Sequence, residues 1–169
     1  MSAIRARQHP DEYVKEGMYC KLMRNGEIFM SDTDMEKDTN REFIYHAHGR
    51  ILIGGLGIGL IILAIQDKQN VAEMVVVEKY REVIDLVKPH LPLNDKVKIV
   101  CADAFDYMPE GVFNVIYMDI WPDICTDNKE QYMKLARRYG RCLDKTDPDA
   151  WHSAWCKRRI YEKKKWYDR

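Results

Sequence analysis

The residue types that point most directly to ligand binding form a glycine-rich turn, Gly54-Gly55-Leu56-Gly57-Ile58-Gly59. The turn follows a short apolar stretch at residues 50–54 and opens a second one at residues 59–67. Glycine permits a tight turn and lets the backbone approach a ligand closely. The dinucleotide fingerprint Gly-x-Gly-x-x-Gly would need glycine where Leu60 stands, so the spacing here is Gly-x-Gly-x-Gly. Taken alone, such a turn also serves the simple packing of a helix on a sheet.

Two acidic side chains follow the next two apolar stretches along the chain. Glu78 comes after residues 73–77, where a carboxylate can accept hydrogen bonds from both hydroxyls of a ribose. The alternative for Glu78 is a solvated acid at a strand end. Asp103 comes after residues 97–101, where it can accept a hydrogen bond from an adenine amino group. It can equally cap the turn that follows it, and one aspartate can do both.

A third acidic segment, Asp119-Ile120-Trp121-Pro122-Asp123, follows the apolar stretch at residues 113–118. Ligands of parallel sheets bind at the carboxyl ends of the strands, so this segment is expected beside the reactive end of a ligand. A carboxylate there can take or orient the proton of an amine or hydroxyl. Asp119, and Asp123 after it, are therefore the candidate catalytic residues. The alternatives are a loop cap for Asp119 and a core aromatic for Trp121.

Strands that alternate with helices are expected to position these residues. Strands are predicted at residues 50–54, 73–77, 97–101 and 113–118. Helices are predicted at residues 59–67, 80–90, 128–143 and 148–166. The alternation, with near-continuous apolar strands, predicts an α/β fold with a Rossmann-like, mostly parallel sheet in the order 3-2-1-4.

Before this core we predict a β-hairpin at residues 19–31, with Asn25-Gly26 as its type I′ turn. A helix should follow, capped by Asp32 or Thr33, running to about His48 and stopped by Gly49. The whole chain, residues 1–169, is expected to form one domain. Its parts are the hairpin and helix (18–49), a ligand-binding core (50–125) and C-terminal helices (126–169).

The stretch of residues 51–119 resembles the cofactor-binding half of class I methyltransferases that use S-adenosyl-L-methionine (SAM). Tyr45-His46, Ile53-Gly54-Gly55 and the segment 101–105 resemble the spermidine synthase-like branch. Met30-Ser31-Asp32-Thr33 resembles the start of small phage-type methyltransferase-like proteins. The resemblance implies SAM as the cofactor and no metal. It implies that SAM is held by Gly54, Gly55, Gly57, Gly59, Glu78, Lys79, Asp103, Ala104 and Asp119.

Methyl transfer to an unidentified acceptor is the activity that this resemblance implies. The alternatives are a spermidine synthase-like aminopropyltransferase, or another SAM-consuming enzyme, and a non-catalytic SAM-binding module. Aminopropyltransferases carry an aspartate where Gly57 stands, and their Asp-x-x-Asp pair is one residue shorter than Asp119 to Asp123. The seven-stranded family fold is also longer, since only 51 residues follow Met118. With no further strand predicted, the fourth strand would be a sheet edge, covered by C-terminal helices or by a second copy of the chain.

Charge and cysteine content limit the remaining partners and the location. The 27 basic and 27 acidic residues balance, so no global field favours nucleic acid or a membrane. The basic segment 157–169 could contact nucleic acid, although a solvated helix end is the favoured interpretation. The apolar run at residues 56–65 is far shorter than the roughly 20 residues of a membrane span. Five scattered cysteines without a Cys-x-x-Cys pair predict reduced thiols and a cytoplasmic location.

Overall fold

The computed structural model describes residues 14–121 and 128–161, and in these ranges it contains seven strands and six α-helices. The strands are β1 (Lys21–Arg24), β2 (Glu27–Ser31), β3 (Gly49–Gly54), β4 (Val71–Glu78), β5 (Val97–Cys101), β6 (Val115–Met118) and β7 (Trp151–Ala154). The helices are α1 (Asp34–Thr39), α2 (Arg41–His46), α3 (Leu60–Ile65), α4 (Arg81–Val87), α5 (Asn128–Tyr139) and α6 (Lys157–Tyr161). None of these helices is long and apolar enough to cross a membrane.

A five-stranded sheet in the order β5-β4-β3-β6-β7 forms the centre of the described chain, and every neighbouring pair is parallel. Apolar side chains cover both of its faces, as a parallel sheet requires. Along β3, Ile51 and Ile53 join the core on one face, together with residues of α2, α3 and α4. Leu52 joins the core on the other face, with residues of α5 and α6. The predicted α/β class and the order 3-2-1-4 are confirmed, with one strand added beyond the fourth.

That added strand corrects the prediction of a helix over residues 148–166. Trp151–Ala154 form β7, and only Lys157–Tyr161 are helical. β7 pairs in parallel with β6, so that Trp151 lies opposite Val115. Tryptophan fits a half-buried pleated surface well, and pairing with β6 outweighs the helical spacing of the local pattern. β6 is therefore not a sheet edge, and the reason for expecting a second copy there disappears.

The N-terminal segment is a hairpin followed by two short helices. Asn25 (φ 51°) and Gly26 (φ 84°) give the predicted turn its two positive φ angles. The prediction of a single helix up to His48 is wrong, because the helical structure is interrupted at Asn40, between α1 and α2. The Asn40 side chain donates to the main-chain oxygen of Glu36 at 2.9 Å and so competes with helical bonding. Gly49 does not stop a helix; it begins β3.

Helix α1 is attached to the body by hydrogen bonds, since none of its residues is buried. Thr33 caps it by accepting the backbone N–H of Glu36. At its other end, the buried Asn40 side chain accepts the Tyr117 hydroxyl at 2.8 Å. The indole N–H of Trp155 donates to the Thr39 hydroxyl at 2.9 Å. Polar contacts with β6 and with the segment after β7 therefore set the position of α1.

Replacing Tyr117 with phenylalanine tests this attachment. We expect the free energy of unfolding to fall by about 1–3 kcal/mol, because the Asn40 oxygen would lose its donor at a site where that residue is only 1% exposed. Urea denaturation measures the change. Tyr45→Phe removes the same hydroxyl from a residue that is 82% exposed and should change stability by less than about 0.5 kcal/mol. Equal effects of the two substitutions would contradict the role given to this bond.

Candidate cofactor-binding and catalytic site

A cavity of about 880 Å³ opens at the carboxyl ends of β3, β4, β5 and β6. Its wall contains a residue that ends or follows each of these four strands: Gly55, Glu78, Asp103 and Asp119. Residues of the β1–β2 hairpin, including Leu22 and Phe29, line it as well. The volume is in the range of binding sites for nucleoside-sized ligands. The position matches the edge of the sheet at which the sequence places the site.

The glycine turn forms one wall of the cavity through Gly55 and Gly57. Gly55 adopts a φ of 94°, and its N–H donates to the main-chain oxygen of Val77 at 2.8 Å. A side chain at Gly55 would collide with the main-chain oxygen of Asp119. Gly57 has a φ of 52° and contacts the sulfur of Met30. These two glycines therefore bring the turn close to β6 and to the hairpin.

Gly54 and Gly59 do not line the cavity, although the resemblance includes them among the cofactor-binding residues. Gly54 ends β3 and packs against Met118 and Ile120. Gly59 precedes α3 with a φ of 79° and packs against Leu91. Both glycines support the conformation of the turn and do not contact the cavity.

Glu78 is buried, and both of its carboxylate oxygens accept backbone hydrogen bonds. Oε2 accepts the N–H of Leu56 in the glycine turn at 2.9 Å, and Oε1 accepts the N–H of Tyr80 at 2.8 Å. A carboxylate oxygen has a second lone pair, so each can also accept a ligand hydroxyl. Glu78 is thus fixed against the turn, and the solvated-acid alternative does not describe it.

Replacing Glu78 with glutamine tests this arrangement. One backbone N–H would then face an amide NH₂ instead of an acceptor, so we expect the free energy of unfolding to fall by about 1–3 kcal/mol. Binding of S-adenosyl-L-homocysteine (SAH), measured by calorimetry, should weaken by about tenfold or more. Glu130→Gln, at an exposed position on α5, is the matched control. A Glu78→Gln protein with unchanged stability and affinity would show that the carboxylate is not needed.

Asp103 and Lys79 form an ion pair at the cavity wall, with 2.8 Å between Nζ and Oδ2. The Oδ1 atom of Asp103 accepts the N–H of Phe105 at 2.8 Å, so Asp103 does cap its turn. The hydrogen bond from Lys79, and then that from Phe105, hold the pKa of Asp103 below its usual value. Ala104 lines the cavity beside this pair, and its oxygen accepts the Tyr139 hydroxyl at 2.6 Å.

Asp119 follows β6, and its carboxyl is the most perturbed acid of the cavity. Burial, and next the charge of Glu36, raise the pKa of Asp119 to about 7. Its N–H donates to the oxygen of Gly54 at 2.8 Å, which fixes the backbone. A carboxyl group with a pKa near neutrality suits proton transfer at physiological pH.

Several cavity residues were not predicted from the sequence. Glu36 on α1 lines the cavity, as do Arg24 and Met30 of the hairpin. The pattern Thr33-x-x-Glu36 reads as a helix capping box, so the sequence signal points to a structural role for Glu36. Trp155 lines the cavity too, and its indole N–H donates to the Thr39 hydroxyl of α1.

Trp121 is a core aromatic residue, which is the alternative that the sequence offered for it, and it also lines the cavity. It is 9% exposed and packs in the apolar cluster on the α5 side of the sheet. Its indole N–H donates to the side-chain oxygen of Gln131 at 2.7 Å, which joins the segment after β6 to α5. Asp123 and most of the basic segment, residues 162–169, lie outside the described residues.

Comparison with known proteins gives no sequence match, since neither a protein-family model nor a curated protein matches the chain. Solved structures do match. One is the N-methyltransferase NodS from Bradyrhizobium japonicum WM9 in complex with SAH, with 11% identity, a TM-score of 0.54, and coverage of 67% of this chain and 59% of that one. Another is the DhpI-SAM-HEP complex, with 15% identity, a TM-score of 0.52, and coverage of 66% and 50%.

A SAM-dependent methyltransferase from Clostridium acetobutylicum ATCC 824 also matches, with 15% identity, a TM-score of 0.50, and coverage of 67% and 48%. At these identities the likeness shows the fold, which is the Rossmann-like fold of class I SAM-dependent methyltransferases. This chain spans about half of the length of the structures that it matches. It carries five strands of the parallel sheet within its described residues.

Proposed function

We propose that this chain is a SAM-dependent methyltransferase that transfers a methyl group to an acceptor. The observation that carries the proposal is the convergence of the glycine turn, Glu78, Asp103 and Asp119 on one cavity. The matched NodS structure holds SAH and the matched DhpI structure holds SAM, which supports the same class of cofactor here.

The residues of the cavity fit SAM in size and in chemistry. Glu78 offers acceptor oxygens to ribose hydroxyls, and Asp103 offers one to an adenine amino group. Ala104 and Val77 add apolar surface for the base. The bare Cα of Gly57 leaves room for the sulfur of Met30, so the hairpin approaches the turn closely at this point.

Bound SAM supplies an activated methyl group on a sulfonium, so the protein's remaining tasks are alignment, exclusion of water and removal of a proton. The hairpin, through Leu22 and Phe29, covers one side of the cavity with apolar surface. Asp119 is placed to take or orient the proton of an acceptor amine or hydroxyl. Asp123 stays a candidate from the sequence.

Calorimetry with SAM and SAH tests the proposal. We expect both to bind in the micromolar range, and transfer of label from methyl-labelled SAM to acceptor mixtures should follow. Absence of binding by either ligand would overturn the proposed function. Binding without transfer to any acceptor would instead favour a non-catalytic SAM-binding module.

Aminopropyl transfer is the second candidate, and it is the activity of the spermidine synthase-like branch that the sequence resembles. The resemblance to small phage-type methyltransferase-like proteins supports the first candidate instead. The paired acids Glu36 and Asp119 in the cavity favour it, because such enzymes act on amines. Gly57 counts against aminopropyl transfer, because aminopropyltransferases carry an aspartate at this position. Comparing the affinities of SAM and decarboxylated SAM separates the two candidates, and methyl transfer predicts tighter binding of SAM.

We also propose a cytoplasmic location. Three of the cysteines within the described residues have free thiols: Cys20, Cys101 and Cys142. Free thiols, two of them on exposed residues, suit a reducing compartment. A nucleic-acid contact through the basic segment remains a proposal from the sequence alone.

A further inference from the structure

The proposed function leaves two acids of the cavity without a role, Glu36 and Glu82. Glu36 lines the same cavity as Asp119, and its charge acts on the carboxyl of Asp119. Glu36 and Asp119 come from different parts of the fold: Asp119 follows β6 of the sheet, and Glu36 lies on α1, outside the sheet. They therefore form parts of two different walls.

Glu36 is held in place by one of its two carboxylate oxygens. Its Oε1 accepts the N–H of Ser31 at 3.2 Å and the Ser31 hydroxyl at 3.4 Å. The helix that carries it is fixed at both ends, by the Thr33 cap and by the bond between Asn40 and Tyr117. No described residue donates a hydrogen bond to Oε2, which leaves this oxygen for a ligand.

Three cationic side chains line the cavity; two of them are engaged with other groups, and the third, Lys134, is an exposed residue of α5. Lys79 pairs with Asp103 at 2.8 Å, and the Arg24 guanidinium lies 4.6 Å from the ring centre of Tyr80. No ion pair among the described residues involves Glu36 or Asp119. Burial raises the pKa of both acids, since a carboxylate without a counter-charge is costly to desolvate. A cation that entered between them would relieve this cost.

We propose that Glu36 and Asp119 bind a protonated amine, and that a cationic amine is the acceptor class of this methyltransferase. The inference rests on the proposed function and names the substrate of the same cavity. Two carboxylates can accept the ammonium N–H groups in charge-assisted hydrogen bonds. Trp155 and Phe29 on the cavity wall add aromatic surface for the hydrocarbon part and for cation–π attraction.

The reaction balances with the residues present. An ammonium group first transfers one proton to the Asp119 carboxylate and becomes a neutral amine with a free electron pair. That pair forms the new nitrogen–carbon bond, while the sulfur–carbon bond of the donor breaks and leaves its electrons on sulfur. The product is a methylated ammonium, and the proton on Asp119 passes to solvent. Glu36 keeps its charge throughout and holds the cationic acceptor and product.

Binding of three probes of equal length tests this inference: n-butylamine, 1-butanol and butyrate. Each is titrated at pH 7.5 into the SAH complex, with calorimetry or NMR as the readout. We expect butylamine to bind at least about tenfold more tightly than butanol, and butyrate to bind most weakly. In Glu36→Gln the Kd of butylamine should rise about tenfold while that of butanol stays unchanged, because glutamine keeps an oxygen for Ser31.

Glu42→Gln, the same change at an exposed position on α2, should leave all three affinities as they are. Equal binding of butanol or butyrate, no effect of Glu36→Gln, or no binding of butylamine would each overturn the inference. Failure of SAH to bind would overturn the proposed function instead. In that case butylamine titrated into the protein alone still tests the pair of acids.

Discussion

Replacing Gly55 with alanine is expected to lower the free energy of unfolding by about 3 kcal/mol or more and to abolish binding of SAH. Two effects combine. A φ of 94° is strained for any residue with a side chain, by about 1–3 kcal/mol. The added methyl group would also collide with the main-chain oxygen of Asp119, which is backbone and cannot rotate away. Because the collision displaces the residue that carries the candidate base, stability and function should fall together.

Gly26→Ala is the matched control for this experiment. Gly26 has a similar φ of 84°, but an added Cβ would meet nothing within 4 Å. We therefore expect the control to cost about 1 kcal/mol, from backbone strain alone, and to leave the affinity for SAH unchanged. Urea denaturation and calorimetry measure the two quantities. Similar losses in the two variants would mean that the approach of the turn to Asp119 is not important.

Replacing Asp119 with asparagine is expected to reduce the rate of methyl transfer by about 10²- to 10⁴-fold, the usual range for removal of a general base. Binding of SAH should change little, because Glu78 and the glycine turn remain. The pH profile gives a sharper test. Only the ionised carboxylate accepts a proton, so the wild-type rate should rise as the pH increases through about 7 and then level off.

The Asp119→Asn protein should lose this inflection and keep only a low rate. Asp106→Asn is the control. It makes the same change at an acid that lies close to Asp103 in the chain but does not line the cavity. It should retain both the rate and the inflection. An Asp119→Asn protein whose rate and pH profile match the wild type would remove Asp119 from the catalytic step.

The sheet and the candidate cofactor-binding residues could be predicted, because the sequence patterns that indicate them are local. Residues 50–54 form a short apolar run that ends at a glycine, and residues 97–101 form one that the acid Asp103 follows two residues later; both are strands in the structure. The order of strands follows from right-handed crossovers, so Glu78, Asp103 and Asp119 had to end at one edge. The relative position of these three acids therefore follows from the order of the strands, without knowledge of any side-chain contact.

The parts that the sequence does not reveal depend on contacts between distant residues. Residues 151–154 were predicted as part of a helix, yet pairing of Trp151 with Val115 makes this segment, β7, a strand. Glu36 reads as part of a capping box, and only the docking of α1 against Tyr117 brings it to the cavity. Long-range hydrogen bonds of this kind leave no periodic signal along the chain.

The way in which α1 is attached has a consequence for how this protein can diversify. The helix contributes no buried apolar side chain, and hydrogen bonds at its C-terminal end hold it to the body. Substitutions along its exposed face therefore do not affect the core of the sheet, which carries the glycine turn and Glu78. If Glu36 on α1 selects the acceptor as proposed, substitutions on this helix can change acceptor preference without altering the residues proposed to bind SAM.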